Sequence, residues 1–137
     1  MILVDTSVWI EIFKDRPGKA RDHFRELVAD EIYGLCRFTQ LELLQGAKDE
    51  REWRLLDEYL AEQYYLEVNE QTWNKAARIY FDLRRKGLTV TSPIDCCIAQ
   101  IALDEKALLL HRDRNFELIA KVRPLAVSWF EWGKNSH

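Results

Sequence analysis

Residues 92–119 read SPIDCCIAQIALDEKALLLHRDRNFELI, and their order decides the fold. Ser92 offers N-cap chemistry, Pro93 suits the first helical position, and Asp95 is an acid in the first turn. The spacing predicts a helix running through Ile98, Ile101 and Ala102. Ala107 to Leu110 is a continuous apolar run of strand length, and near Asp113 a further helix begins with Phe116, Ile119 and Ala120 inward. A strand that is apolar on both faces and lies between helices belongs to a parallel sheet covered on both sides.

The same alternation extends outward from this stretch. Met1 to Val4 is a short apolar run closed by Asp5-Thr6-Ser7, leading into a helix through Val8, Trp9, Ile12 and Phe13. Pro17-Gly18 breaks the chain, and Ala20, Phe24, Leu27 and Val28 then recur at helical spacing. Ile32 to Cys36 reads as a buried strand. Thr39-Gln-Leu-Glu42 reads as a capping box opening a helix that stops near Gly46. A charged amphipathic helix is expected from about Glu50 to Ala61, then a short strand at Tyr64 to Val68. After Glu70, the residues Trp73, Ala76, Ala77, Tyr80, Phe81 and Arg84 form a helix face, with Gly87 as its stop. Leu125 to Val127 suits a final strand, followed by the aromatics Trp129, Phe130 and Trp132. The expectation is a three-layer α/β/α fold with a central, mainly parallel sheet, one domain over residues 1–137.

Composition narrows the function classes. With 47% hydrophobic and 31% charged residues the chain is neither disordered nor collagen-like. No apolar run approaches the roughly 18 residues that a membrane span requires. The opening MILVDTSVWIEIFKD lacks a basic n-region, so the expected compartment is the cytoplasm. Cys36, Cys96 and Cys97 are then free thiols rather than a disulfide framework. A net charge of -3 means that any handling of nucleic acid needs a local basic patch, a metal ion or a partner protein. Walker A, G-x-G-x-x-G and G-x-S-x-G patterns are all missing, which removes nucleotide-driven, dinucleotide and acyl-transfer chemistry.

Four acids fall where strands hand over to helices, the functional edge of a parallel sheet. They are Asp5, Glu42, Asp95 and Asp113. Each one alone suits a helix N-terminus, whose N–H groups and dipole favour an acid. Capping does not require the four to converge, however. Two carboxylates about 4 Å apart at an effective dielectric near 20 repel by about 4 kcal/mol. A shared pocket therefore needs raised pKa values or a divalent cation, and all-oxygen ligands favour Mg²⁺ or Mn²⁺ over zinc. A hard ion in an acidic cup is the apparatus of metal-assisted phosphodiester hydrolysis.

The segments ILVDTSVWIEIF, FTQLELLQGA, SPIDCCIAQIAL and LLLHRDRNFELIA resemble, in order and spacing, the four motif blocks of PIN-domain proteins. The likeness is to the VapC-type toxins of bacterial toxin–antitoxin modules. The resemblance implies a Mg²⁺-dependent endoribonuclease, with Mn²⁺ able to substitute, in which activated water cuts RNA in line. Asp5, Asp95 and Asp113 match the metal-ligating positions, and Glu42 completes the catalytic set. Thr6 matches a hydroxyl beside the first acid that supports the site or contacts phosphate. A cognate antitoxin that blocks the site and a homodimeric state are also implied.

Three positions depart from the family pattern. Asn115 stands where many relatives carry a further Asp, which leaves one or two metal ions equally open. His111 replaces a more usual hydroxyl residue, and Cys96-Cys97 replace smaller ones. Arg112 and Arg114 flank Asp113 and are placed to reach substrate phosphate. Arg78, Arg84, Arg85 and Lys86 form the densest basic cluster, read either as a solvated helix end or as an RNA-guiding patch. His23, His111 and His137 are expected to be structural or tail-solvating, with a phosphate contact possible only for His111, and Trp9, Trp73, Tyr80 and Phe81 to pack in the core or at a dimer seam. Two rivals stay open: a DNA-directed, structure-specific nuclease, and a non-catalytic interaction module in which the acids only cap helices.

Overall fold

A computed structural model describes residues 1–133, so His137 lies outside the described residues. Four strands form one sheet in the order β2-β1-β3-β4: β1 Ile2–Val4, β2 Tyr33–Gly34, β3 Leu108–His111 and β4 Val127–Trp129. Every pairing is parallel, with Ile2 opposite both Tyr33 and Leu108, and His111 opposite Trp129. Alternation along β1 sends Leu3 to one face and Ile2 and Val4 to the other, as Leu109 and Leu110 divide on β3. Both faces are therefore buried, and each such leucine contributes roughly 1.5–3 kcal/mol by leaving water.

Helices cover the two faces separately. Against Val4 and Leu110 pack α1 (Thr6–Lys14), α2 (Lys19–Leu27) and α4 (Glu50–Ala61), through Val8, Trp9, Phe24 and Leu60. Against Leu3 and Leu109 pack α5 (Thr72–Arg85), α6 (Pro93–Glu105) and α7 (Arg114–Ile119), through Ile79, Leu83, Ile98, Phe116 and Ile119. The helix α3 (Arg37–Gln45) follows β2 and buries Thr39 and Leu43. The architecture is the three-layer α/β/α arrangement with a parallel sheet. All three cysteines are free and buried. Among the described residues no helix is long and apolar enough to cross a membrane.

The termini of α5 and α6 follow their sequence signals. Leu88 N–H reaches the Leu83 carbonyl at 2.9 Å and Gly87 N–H reaches that of Arg84 at 3.0 Å, with Gly87 at φ +73. That is a Schellman stop, and it needs a residue free to turn left-handed. Ser92 Oγ accepts from Ile94 N–H at 3.1 Å with Pro93 in the first turn.

Several sequence expectations are corrected. The strand expected over Ile32–Cys36 shortens to Tyr33–Gly34, with Ile32 exposed. A Cβ on Gly34 would stand 3.1 Å from the Tyr64 ring and carbonyl oxygen, so the close approach of that segment favours glycine. The expected strand at Tyr64–Val68 reduces to a single parallel bridge between Leu35 and Tyr65. Thr39 does not open a helix, because α3 starts at Arg37 with Cys36 as its uncapped N-cap. The inward face of α5 is Thr72, Ala76, Ile79 and Leu83, turned one residue, about 100°, from the expected face. Trp73 and Phe81 are 53% and 41% exposed, because the smaller and aliphatic residues of α5 are the ones buried where it packs on α6. The last strand lies two residues later than expected.

Candidate active site

Each acid is delivered by a different element. Asp5 follows β1 and caps α1 in an extended conformation, its Oδ2 accepting from Ser7 N–H at 3.0 Å and Ser7 Oγ at 2.6 Å. Ser7 Oγ in turn accepts from Arg112 N–H at 2.8 Å, tying the ends of β1 and β3 together. Asp113 follows β3 and caps α7, its Oδ1 accepting from Asn115 N–H at 2.9 Å. Asp95 sits in the first turn of α6, and its Oδ2 accepts from Asn115 Nδ2 at 2.8 Å. Glu42 lies in the body of α3, not at its start, and its Oε1 accepts from Thr6 Oγ1 at 2.8 Å.

The four carboxylates act on one another. Burial pushes the Asp5 carboxyl above its ordinary range, and the charges of Glu42 and Asp113 push it further, against the Ser7 hydrogen bonds. Asp95 is pushed up to about 6, first by burial and then by Asp113, Asp5 and Glu42, against the Asn115 amide. Such mutual influence requires proximity, so the acids share one edge of the sheet. Exposure rises from buried Asp5 through half-buried Asp95 and Asp113 to exposed Glu42, so the cluster opens to solvent. Beside Thr6 and Glu42 begins an apolar groove of about 740 Å³, walled by Ile10, Phe13, Leu55 and Tyr59.

The donor set was tested against a divalent cation. None of the four acids forms an ion pair with a cation among the described residues. Each has one carboxylate oxygen on a protein donor and the other without a hydrogen-bond donor among those residues. Uncompensated, half-buried oxygens of this kind fit a hard ion. Among the described residues no three His, Cys, Asp or Glu already form a metal-binding group. Mg²⁺ keeps several waters, so it does not need such a cage.

The flanking residues are placed as follows. Thr6 is buried and its hydroxyl lies on Glu42 and, at 2.9 Å, on Thr39 Oγ1. Arg112 is only 19% exposed; its Nη1 donates to the Phe130 carbonyl at 2.9 Å, and its Nε lies 3.8 Å from Glu11. Arg114 is exposed. His111 is fully buried: Nδ1 accepts from Asp113 N–H at 3.0 Å, leaving Nε2 to donate to Glu117 at 2.7 Å. It thereby accepts the local turn bond that a Ser or Thr hydroxyl oxygen could accept from the N–H two residues further on. His23 rests against the Phe130 ring, and Cys96 and Cys97 are core residues. Sequence reading missed Ser7, Thr39 and Thr91 as supports. Thr91 Oγ1 accepts from Asn115 Nδ2 at 2.8 Å. For Thr39 a signal existed: three residues from Glu42, it shares a helix face with it.

Comparison with known proteins gives the family. The PIN domain family model matches residues 2–122. The chain belongs to the PIN-domain family. Within it the chain is of the VapC type: it is 35% identical over 133 residues to Ribonuclease VapC11 of Mycobacterium tuberculosis, spanning 95% of this chain and 99% of that one. VapBC2 from Rickettsia felis, solved bound to a DNA fragment from its promoter, superposes with a TM-score of 0.77 at 20% identity, covering 97% of this chain and 100% of that one. VapBC-5 of M. tuberculosis, of the VapBC family of toxin–antitoxin systems, superposes with a TM-score of 0.62 at 21% identity over 93% of this chain and 94% of that one.

Proposed function

We propose that the chain is a single-domain, cytoplasmic, metal-dependent endoribonuclease, the toxin of a toxin–antitoxin pair. The observation that supports this most is the crowding of Asp5, Glu42, Asp95 and Asp113 without a cationic partner. Asp5, Asp95 and Asp113 would hold Mg²⁺ or Mn²⁺ through their undonated oxygens, some through water. The chemistry that such an ion supplies is acidification of water and neutralisation of charge on a phosphodiester. Asn115 fixes Asp95 and Asp113 relative to each other, Ser7 orients Asp5, and Thr6 orients Glu42. Arg114 is free to meet the phosphate backbone. A homodimer and a cognate antitoxin complete the reading, with the apolar groove beside Glu42 as the antitoxin's seat, since exposed apolar surface of this kind marks a partner site.

The test is incubation of the purified protein with total RNA, with and without Mg²⁺, alongside Asp5→Asn and Asp95→Asn. We expect discrete cuts that require Mg²⁺ and vanish in both variants, while both keep the wild-type fold by circular dichroism. RNA left whole by wild type under all conditions would refute the nuclease assignment, and cutting by Asp95→Asn at the wild-type rate would refute the ligand assignment.

A further inference from the structure

We propose that the C-terminal half of α5 and the turn after it form a docking surface for single-stranded RNA, leading the strand to the acid edge. The proposal rests on the nuclease reading for its occupant but on separate residues for its evidence.

Between Gln71 and Asp95 the sequence carries five cations and one acid, in a chain whose net charge is -3. The one acid, Asp82, is taken by Arg78 at 3.1 Å and Arg123 at 2.8 Å. Arg84, Arg85 and Lys86 are exposed and meet no carboxylate among the described residues. A helix C-terminus is suited by a cation or two, but its dipole gives no reason for the Phe81 ring to stand 41% exposed among them. The Phe81 ring is flanked by the guanidinium of Arg78 at 4.7 Å and that of Arg85 at 5.6 Å, and Arg84 lies 5.9 Å over Tyr80. Contacts of this kind fix the guanidinium groups, whose planes, with the exposed part of the Phe81 ring, offer surfaces on which bases stack. Planar guanidinium forks match phosphate oxygens in pairs.

Position supplies the direction. Residues 86–92 join α5 to α6, so the cationic end of α5 adjoins the helix start that bears Asp95. Thr91, in that connection, is bonded to the same Asn115 amide that holds Asp95. A second copy of the chain is disfavoured as the occupant, because two such faces would set like charges against each other. An acidic peptide would satisfy the cations but leaves the exposed Phe81 ring without a stacking partner.

The experiment measures binding of a fluorescein-labelled, mixed-sequence single-stranded RNA to the full chain in EDTA by anisotropy, across a salt series. Three proteins are compared: wild type, R84Q/R85Q/K86Q, and the control R51Q/R54Q on α4. We expect the triple variant to bind about tenfold or more weakly near 100 mM salt, and its salt slope to fall by about 2, as loss of three phosphate contacts requires. The control keeps the wild-type affinity and slope. In Mg²⁺ the triple variant should raise KM for RNA cleavage with kcat little changed. Equal affinity and slope in wild type and triple variant, no RNA binding by wild type, or an altered oligomeric state with RNA binding intact would each overturn the surface. A wild type that binds RNA through these residues yet cuts none would refute the nuclease reading and leave the surface standing.

Discussion

Asn115 touches two of the four acids at once, its side-chain amide on Asp95 and its backbone N–H on Asp113. The amide favours ionised Asp95, opposing burial and three negative neighbours. Asn115→Ala should therefore move the Asp95 titration midpoint above about 6 and lower stability by about 1–3 kcal/mol for the lost buried bonds. Carboxyl-carbon NMR reads the first quantity and urea unfolding the second; an unmoved midpoint would exclude Asn115 as the support of Asp95. Asp95 itself has a raised folded-state pKa, about 6 against an ordinary 3.8. Its contribution to stability is complete below the unfolded value and is lost as pH rises through the folded one. The metal-free protein should thus lose stability between about pH 4 and pH 7, and Asp95→Asn should flatten that fall. Some slope persists in the variant, because Asp5 is shifted in the same direction. A variant as steep as wild type would place the destabilising charge elsewhere. All four acids were legible in the sequence. Of their supports Thr6 was legible and Thr39 left a signal in its spacing from Glu42, whereas Thr91 was not legible, because it meets Asn115 only across 24 residues of folded chain.

At the scale of elements, legibility tracked local chemistry. The start of α6 and the end of α5 follow Ser92-Pro93 and Gly87, whose preferences do not depend on tertiary contacts. Gly87→Ala should cost about 1–2 kcal/mol, because a Cβ there meets nothing within 4 Å and the φ of +73 is the sole source of strain. A urea midpoint lowered at constant m would show it; an unchanged midpoint would mean that the Schellman stop tolerates a side chain. The start of α3 was misplaced for a complementary reason. Thr39 and Glu42 have the spacing of a capping box, yet inside α3 the same spacing turns both toward Thr6, so their hydrogen bonds serve the acid edge instead of the helix end. The inward face of α5 was also misread, because the exposed Phe81 is held by arginines and the exposed Trp73 meets the Phe38 ring.

For the molecule as a whole, alternating apolar strands and helices were enough to specify a parallel sheet buried on both faces. That topology brings the ends of β1 and β3 side by side, with Asp5 N–H on the Leu110 carbonyl at 3.0 Å, so acids more than a hundred residues apart become neighbours. Their crowding raises the energy of the protein at neutral pH, and on the proposed reading a bound cation would relieve it. The most direct test is the unfolding temperature in millimolar Mg²⁺ against EDTA at pH 7.5, for wild type, Asp5→Asn and Asp95→Asn. Ten times the dissociation constant of free ion stabilises the native state by about 1.4 kcal/mol, roughly 3–5 °C for a chain of this length. We predict a shift of that size in wild type, little in either variant, and little in wild type once the pH falls well below 6. A wild-type midpoint that Mg²⁺ leaves unmoved, or one that moves equally in all three proteins, would contradict a cation shared by these carboxylates.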